Sequence, residues 1–139
     1  MKRNFLKAAL VCLLLFIWGH SFSSGETSRL ESDYVLDVTL GCFAWLPGSS
    51  FLDFASIRKL AHLTEFAALG MVLSALLAPV KKRRLPWVIA CGCAVGAVDE
   101  FIQLFSPGRC SQVSDVLLDT VGVAAGMVVL SVIKMIEDR

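Results

Sequence analysis

Four long apolar stretches alternate with short polar ones along the chain. The first runs from about Asn4 to Phe22, broken only by Lys7 and His20. The second runs from about Ile57 to Pro79, where proline ends the helical pattern. The third covers about Leu85 to Phe105 and stops at Ser106-Pro107-Gly108, a strong turn signal. The fourth goes from about Asp115 to Ile136, with Ser114 or Asp115 placed to cap its start. A helix needs about 20 apolar residues to cross a bilayer. The pattern therefore predicts an all-α integral membrane bundle of four transmembrane helices.

Segment 23–56 is polar at first, with Glu26, Arg29, Glu31 and Asp33, and becomes apolar from Tyr34 to Leu46. That apolar part is too short to span, so it reads either as a re-entrant or interface-lying helix or as a packed loop. The first stretch follows a basic start, Lys2 and Arg3, and precedes the Ser-rich Ser21-Phe22-Ser23-Ser24, as a cleaved signal peptide would. Bulky Phe16, Ile17 and Trp18 near its end favour a retained helix instead. The chain thus divides into residues 1–22, an N-terminal transmembrane helix or signal anchor, residues 23–56, an external loop whose apolar part is either an interfacial helix or packed loop, and residues 57–136, a three-helix transmembrane core.

Composition agrees with a membrane setting. Of 139 residues, 56% are hydrophobic and 18% charged, against about 25% charged in soluble domains. Four spans leave no room for a further soluble domain. The net charge of +1 argues against nucleic acid as a partner. No Gly-rich phosphate loop, CxxC pair or HExxH motif occurs, and neither Cys nor His spacing points to zinc, so no cofactor and no metal is expected.

Lysine and arginine are enriched in cytoplasmic loops. The Lys81-Lys82-Arg83-Arg84 linker then lies inside, and four spans place both termini inside too. Lys2, Arg3 and Lys7 at one end and Lys134 and Arg139 at the other agree. Of the 12 acidic residues, only Glu137 and Asp138 fall on the cytoplasmic side.

Ionisable residues in spans cost roughly 2.5–3.5 kcal/mol at a helix centre and call for a functional reading. Here they gather at the outer ends: Arg58, Lys59, His62 and Glu65 in the second span, Asp99, Glu100 and Gln103 in the third, Asp115 and Asp119 in the fourth, with Arg109 in the external turn. Arg58, His62 and Glu65 share one helical face. Asp115, Asp119, Gly122 and Gly126 share another, and Gly122-xxx-Gly126 permits close helix packing. Gly92, Gly96, Asp99 and Gln103 make a third, with Glu100 one step around. Facing stripes would enclose a polar pocket open to the outside or to the outer leaflet. Plainer roles stand beside this. Arg58 and Lys59 can snorkel to headgroups, Asp115 can complement its helix N-terminus, and Asp99 can be a helix-end residue. His62, Glu65, Glu100, Gln103 and Asp119 form either a structural hydrogen-bond network or a ligand site. Cys12, Cys91 and Cys93 read as apolar packing, while Cys42 and Cys110, both outside, are free to form a disulfide.

Two stretches resemble the VanZ-like family of small bacterial membrane proteins. One is Arg58-Lys-Leu-Ala-His62-Leu-Thr-Glu65-Phe-Ala-Ala-Leu-Gly70. The other runs from Glu100-Phe-Ile-Gln103 through Arg109 to Asp115-Val-Leu-Leu-Asp119-Thr-Val-Gly122 and Gly126. Together they cover about 56–126. The resemblance implies signature positions at Lys59, His62, Glu65, Glu100, Gln103, Arg109, Asp115, Gly122 and Gly126. It departs at Asp119, where the family often has Asn. The family is named for low-level resistance to the glycopeptide teicoplanin, so the resemblance implies a membrane setting and an envelope role without supplying a reaction.

Three functions remain open on these residues. The favoured one is a non-enzymatic envelope protein whose outer pocket binds a lipid-linked cell-wall precursor or a glycopeptide, with Arg58, Lys59 and Arg109 holding anionic groups. The second is an intramembrane enzyme acting on a phosphate-bearing envelope lipid, either through His62, Glu65, Glu100 and Asp115 as acid and base or through several carboxylates holding Mg²⁺ against a diphosphate. The third, a proton- or ion-linked transporter, suffers from the almost wholly apolar inner halves of the spans. Membrane lipids are expected partners, and the pattern says nothing of oligomeric state.

Overall fold

A computed structural model describes residues 2–43, 53–80, 84–109 and 111–138. The described chain is all-α: α1 (Lys2–Ser21), α2 (Gly25–Phe43), α3 (Phe54–Leu76), α4 (Arg84–Gln103) and α5 (Val113–Glu137). Helices α1, α3, α4 and α5 are each long and apolar enough to cross a membrane, as the four apolar stretches predict. The chain is accordingly a multi-pass membrane protein.

The helix ends follow local chemistry. Asp53 caps α3, its Oδ1 accepting from the Ser56 backbone N–H at 2.7 Å. Turns take over after Leu76, ahead of Pro79. Pro86 falls within the first turn of α4, where its missing N–H costs nothing. After α4 the chain reverses through Ser106-Pro107-Gly108, with Gly108 at φ +75°, a left-handed conformation that glycine adopts freely. The expected start of α5 is corrected. The helix begins at Val113 with Gln112 in the cap position, so Ser114 and Asp115 sit inside its first turn rather than before it.

Segment 25–33, read as polar loop, is also corrected: it is the first half of α2. Ser24 Oγ accepts from the Thr27 backbone N–H at 3.2 Å and so supplies a cap. Ser28 and Ser32, four residues apart, are buried, while Glu26, Arg29 and Glu31 stay exposed. A polar helix with small residues on its inner face can pack without being apolar. The expected apolar helix over 34–46 coincides with the second half of α2 as far as Phe43; residues 44–46 lie outside the described residues. Helix α2 packs against α3 and is not among the helices apolar enough to span.

Helices α3 and α5 make the most extensive pairing, with α4 against α5 and α1 against α3 and α4. A Cβ on Gly126 would overlap the Ala67 carbonyl, and one on Gly122 would fall 2.8 Å from the Leu63 carbonyl oxygen. The two helices therefore approach through bare backbone, as the Gly122-xxx-Gly126 spacing allows. Ile17, Phe66, Leu69, Leu73, Val88, Val123 and Met127 form the apolar core beneath the polar end. Phe5, Leu15, Trp87, Val121, Val128 and Ile136 face outward, as lipid-facing side chains do.

Candidate functional site

The antiparallel arrangement brings the C-terminal ends of α1 and α4 to the N-terminal ends of α3 and α5, and the polar residues meet there. Asp99 on α4 and Asp119 on α5 are fully buried, and His62 on α3 is 8% exposed. His62 Nδ1 stands 3.5 Å from Asp119 Oδ1 and 4.0 Å from Asp99 Oδ2. Gly96 makes room for this cluster: a Cβ there would lie 3.2 Å from the Asp119 carboxylate.

Asp99 is held from two sides. Its Oδ1 accepts from Ser21 Oγ at 2.6 Å and its Oδ2 from Gln103 Nε2 at 2.8 Å. Gln103 Oε1 in turn accepts from Arg58 Nη2 at 2.9 Å. The chain Arg58–Gln103–Asp99–Ser21 thus ties α3, α4 and α1 together at one level.

Above His62 lies an open recess of about 220 Å³, lined by Ala55, Arg58, Lys59, His62, Gln112, Asp115 and Leu118. His62 belongs to both features, forming part of the recess wall and part of the buried cluster behind it. Two cations and one carboxylate line a space large enough for a small headgroup.

The other candidates go elsewhere. Glu100 is buried, but its Oε2 accepts from the Gln112 backbone N–H at 2.8 Å, where it holds the connection into α5. Arg109 is buried beside the α1–α2 turn: its Nε donates to the Ser23 carbonyl and its Nη2 to the His20 carbonyl, each at 3.1 Å. These bonds satisfy carbonyls near the end of α1, where a cation is also favoured. Burial, and then the nearby Arg58 guanidinium, lower the Arg109 pKa. Glu65, expected on the face of His62, turns to α1 instead. It lies 4.0 Å from His20 Nδ1, and His20 Nε2 meets Glu31 Oε2 at 2.8 Å. Glu65 also lines a separate, mostly apolar groove of about 510 Å³ with Phe16, Val35, Thr39, Ile57, Leu60, Ala61 and Thr64. The Cys42–Cys110 pairing lies outside the described residues, because Cys110 is not among them.

Two participants, Ser21 and His20, lie outside the residues singled out in the sequence, and a third, Asp99, stands there with a plainer reading. Asp99 was legible, since it completes the Gly92-Gly96-Asp99-Gln103 face, but its position near a helix end suggested a surface role. Ser21 and His20 gave no signal beyond interrupting or ending an apolar run. Likewise, the His62–Asp99–Asp119 group draws on three separate helices, so no local Cys or His spacing could announce it.

No curated protein and no solved structure matches the chain significantly. The family model described as VanZ/LLP1 matches residues 6–134, which takes in α1 and α2 as well as the segment 56–126 that carries the motifs. A match over nearly the whole length, containing the residues that build the polar end, shows that the chain belongs to the VanZ/LLP1 family.

Proposed function

We propose that this protein acts in the cell envelope by binding a lipid-linked or lipophilic ligand in the recess at its polar end, with that end facing the exterior and both termini in the cytoplasm. The observation that carries this reading is the joining of Arg58, Lys59 and His62 on α3 with Asp115 on α5 around one open recess. Such a mixed set suits a headgroup with an anionic group for the cations and a hydroxyl or amine for the carboxylate. The groove between α1, α2 and α3, on a different face of α3, is apolar enough to take hydrocarbon. Orientation rests on the basic residues: Arg84 at the start of α4 and Lys134 in the last turn of α5 fall at the end opposite the recess, and Lys81 to Arg83 and Arg139 adjoin them in sequence. The ligand class is a cell-wall precursor lipid or a glycopeptide of the teicoplanin type, and the biological outcome is lowered glycopeptide susceptibility or a related envelope effect.

Expression in a teicoplanin-susceptible host tests this reading. The wild type should lower susceptibility, and Lys59→Ala and Asp115→Asn should abolish the effect at unchanged protein level. Full activity of both variants would remove the recess from the function.

A second reading, an intramembrane enzyme acting on a phosphate-bearing envelope lipid, draws on one observation: the His62 imidazole reaches both the recess and the Asp119 carboxylate, as a general acid or base would. Glu65 and Glu100 no longer contribute to it, because each faces a different partner. Turnover of a polyprenyl or glycero-phospholipid by the purified protein, lost in His62→Ala, would favour this reading over binding alone.

A further inference from the structure

We propose that His62, Asp99 and Asp119 form a binding site for a divalent transition-metal ion of the zinc type. One donor atom from each of the three side chains converges so that all lie within 4.8 Å of one another, on three different helices and all buried. In a tetrahedral zinc site with bonds of about 2.1 Å, neighbouring donors stand about 3.4 Å apart. The separations of 3.5 and 4.0 Å from His62 Nδ1 to the two carboxylates are close to that spacing.

The state of these atoms points the same way. Both carboxylate oxygens of Asp119 and Nδ1 of His62 are buried without a hydrogen-bond partner among the described residues. The Nδ1–Oδ1 separation of 3.5 Å is within ion-pairing range but longer than an ordinary N–H···O hydrogen bond of about 2.7–3.2 Å. Buried charges are ordinarily paired or bound to metals. A protonated His62 could offset one carboxylate and leave the other, whereas a divalent ion on neutral imidazole offsets both. Asp99 already carries the supporting bonds that orient a metal-binding carboxylate, from Ser21 and Gln103. A mixed nitrogen and oxygen set of three suits zinc, which in open sites takes three protein ligands and leaves a further position. Magnesium, which demands near-octahedral oxygen coordination, suits it less. The site does not rest on the ligand proposed for the recess: His62 also lines that recess, but Asp99 and Asp119 are fully buried behind it.

The test is Co²⁺ titration of the purified, chelator-stripped protein in detergent, read by visible absorption and thermal melting. Saturable binding of roughly one ion per chain is expected, with displacement by Zn²⁺, a raised melting temperature and no thiolate-to-cobalt charge-transfer band. The last point separates this site from Cys12, Cys91 and Cys93. Ser21→Ala should weaken binding by about 10- to 100-fold, Asp119→Asn by more, and Asp37→Asn on exposed α2 not at all. Absence of saturable binding in the wild type, or a thiolate band, would overturn the proposal even where Asp119→Asn does not fold. So would undiminished affinity in an Asp119→Asn protein that melts as the wild type does.

Discussion

Ser21, the last residue of α1, donates its hydroxyl to Asp99 near the end of α4 at 2.6 Å, across 78 positions of sequence and out of contact with solvent. Together with the contacts of His20 to Arg109 and Glu65, this bond makes the first helix part of the polar end rather than an appendage to it. Replacing Ser21 by Ala would leave a buried carboxylate oxygen short of a donor, which costs about 1–3 kcal/mol. The expected outcome is a lower melting temperature in detergent. Ser21→Thr, which keeps the hydroxyl, should recover part of the loss. Wild-type melting of Ser21→Ala would show that Asp99 does not depend on α1.

The α3–α5 seam gives a sharper contrast. A methyl group on Gly126 collides with the Ala67 carbonyl, whereas one on Gly19 meets nothing within 4 Å. Gly126→Ala must push two helices apart, at a cost of about 1–3 kcal/mol or more. Gly19→Ala should be neutral or stabilising by about 0.5–1 kcal/mol, because alanine is the better helix former. Folded yield and melting temperature of the two variants check this directly. Equal behaviour would mean that the seam is looser than described.

Arg109 ties the α4–α5 connection to the α1–α2 turn through the carbonyls of His20 and Ser23. Arg109→Ala removes both charged hydrogen bonds, worth about 1.5–3 kcal/mol each, and Arg109→Lys cannot reproduce the planar fork. Both variants should be cleaved faster by added protease near residues 22–25 and 104–109. If teicoplanin susceptibility changes while protease resistance does not, Arg109 contacts ligand rather than backbone.

Much of this architecture could be read from the chain because membrane helices declare themselves by length and apolarity. Stepping by three and four also showed which faces of α3, α4 and α5 carry polar groups. Periodicity says nothing, however, about which face meets which. Glu65 shares a face with His62 on paper, yet one helical turn is enough to hand it to His20 and the α1–α2 side. Glu100 and Arg109 looked like ligand contacts because both are charged; in the fold each answers a backbone group exposed by a helix end. Helix α2 was obscured for the opposite reason. In its first half the charges face outward and the buried side is serine, so apolar periodicity marked only the part from Tyr34 onward.

Asp53 offers a pH test outside the spans. Its side-chain and backbone bonds to Ser56 lower its pKa below the ordinary aspartate range of about 3.9. The folded state therefore prefers the ionised form. The stability contributed by this cap is present above the ordinary range and is lost as the pH falls through the depressed value. Unfolding followed across that acidic window should show less pH dependence in Asp53→Asn, which keeps a capping oxygen but cannot titrate. An unchanged pH profile in that variant would assign the acid sensitivity to other carboxylates.

The proposed orientation carries the last expectation. If the Lys81–Arg84 linker and both termini are cytoplasmic, a fluorescent protein fused after Arg139 should fold and emit, while an alkaline phosphatase fused there should stay inactive. The same phosphatase inserted between residues 110 and 111, at the connection into α5, should be active. Because Ile17 is buried in the core and Ser21 bonds Asp99, removal of α1 would strip the polar end of a donor and the core of a side chain. The intact mass of the purified protein should therefore include α1. A mass that begins after Ser24, with full folding retained, would mean that three helices suffice and that the Ser21–Asp99 bond is dispensable. The reverse reporter pattern would put the recess in the cytoplasm, out of reach of any extracellular glycopeptide.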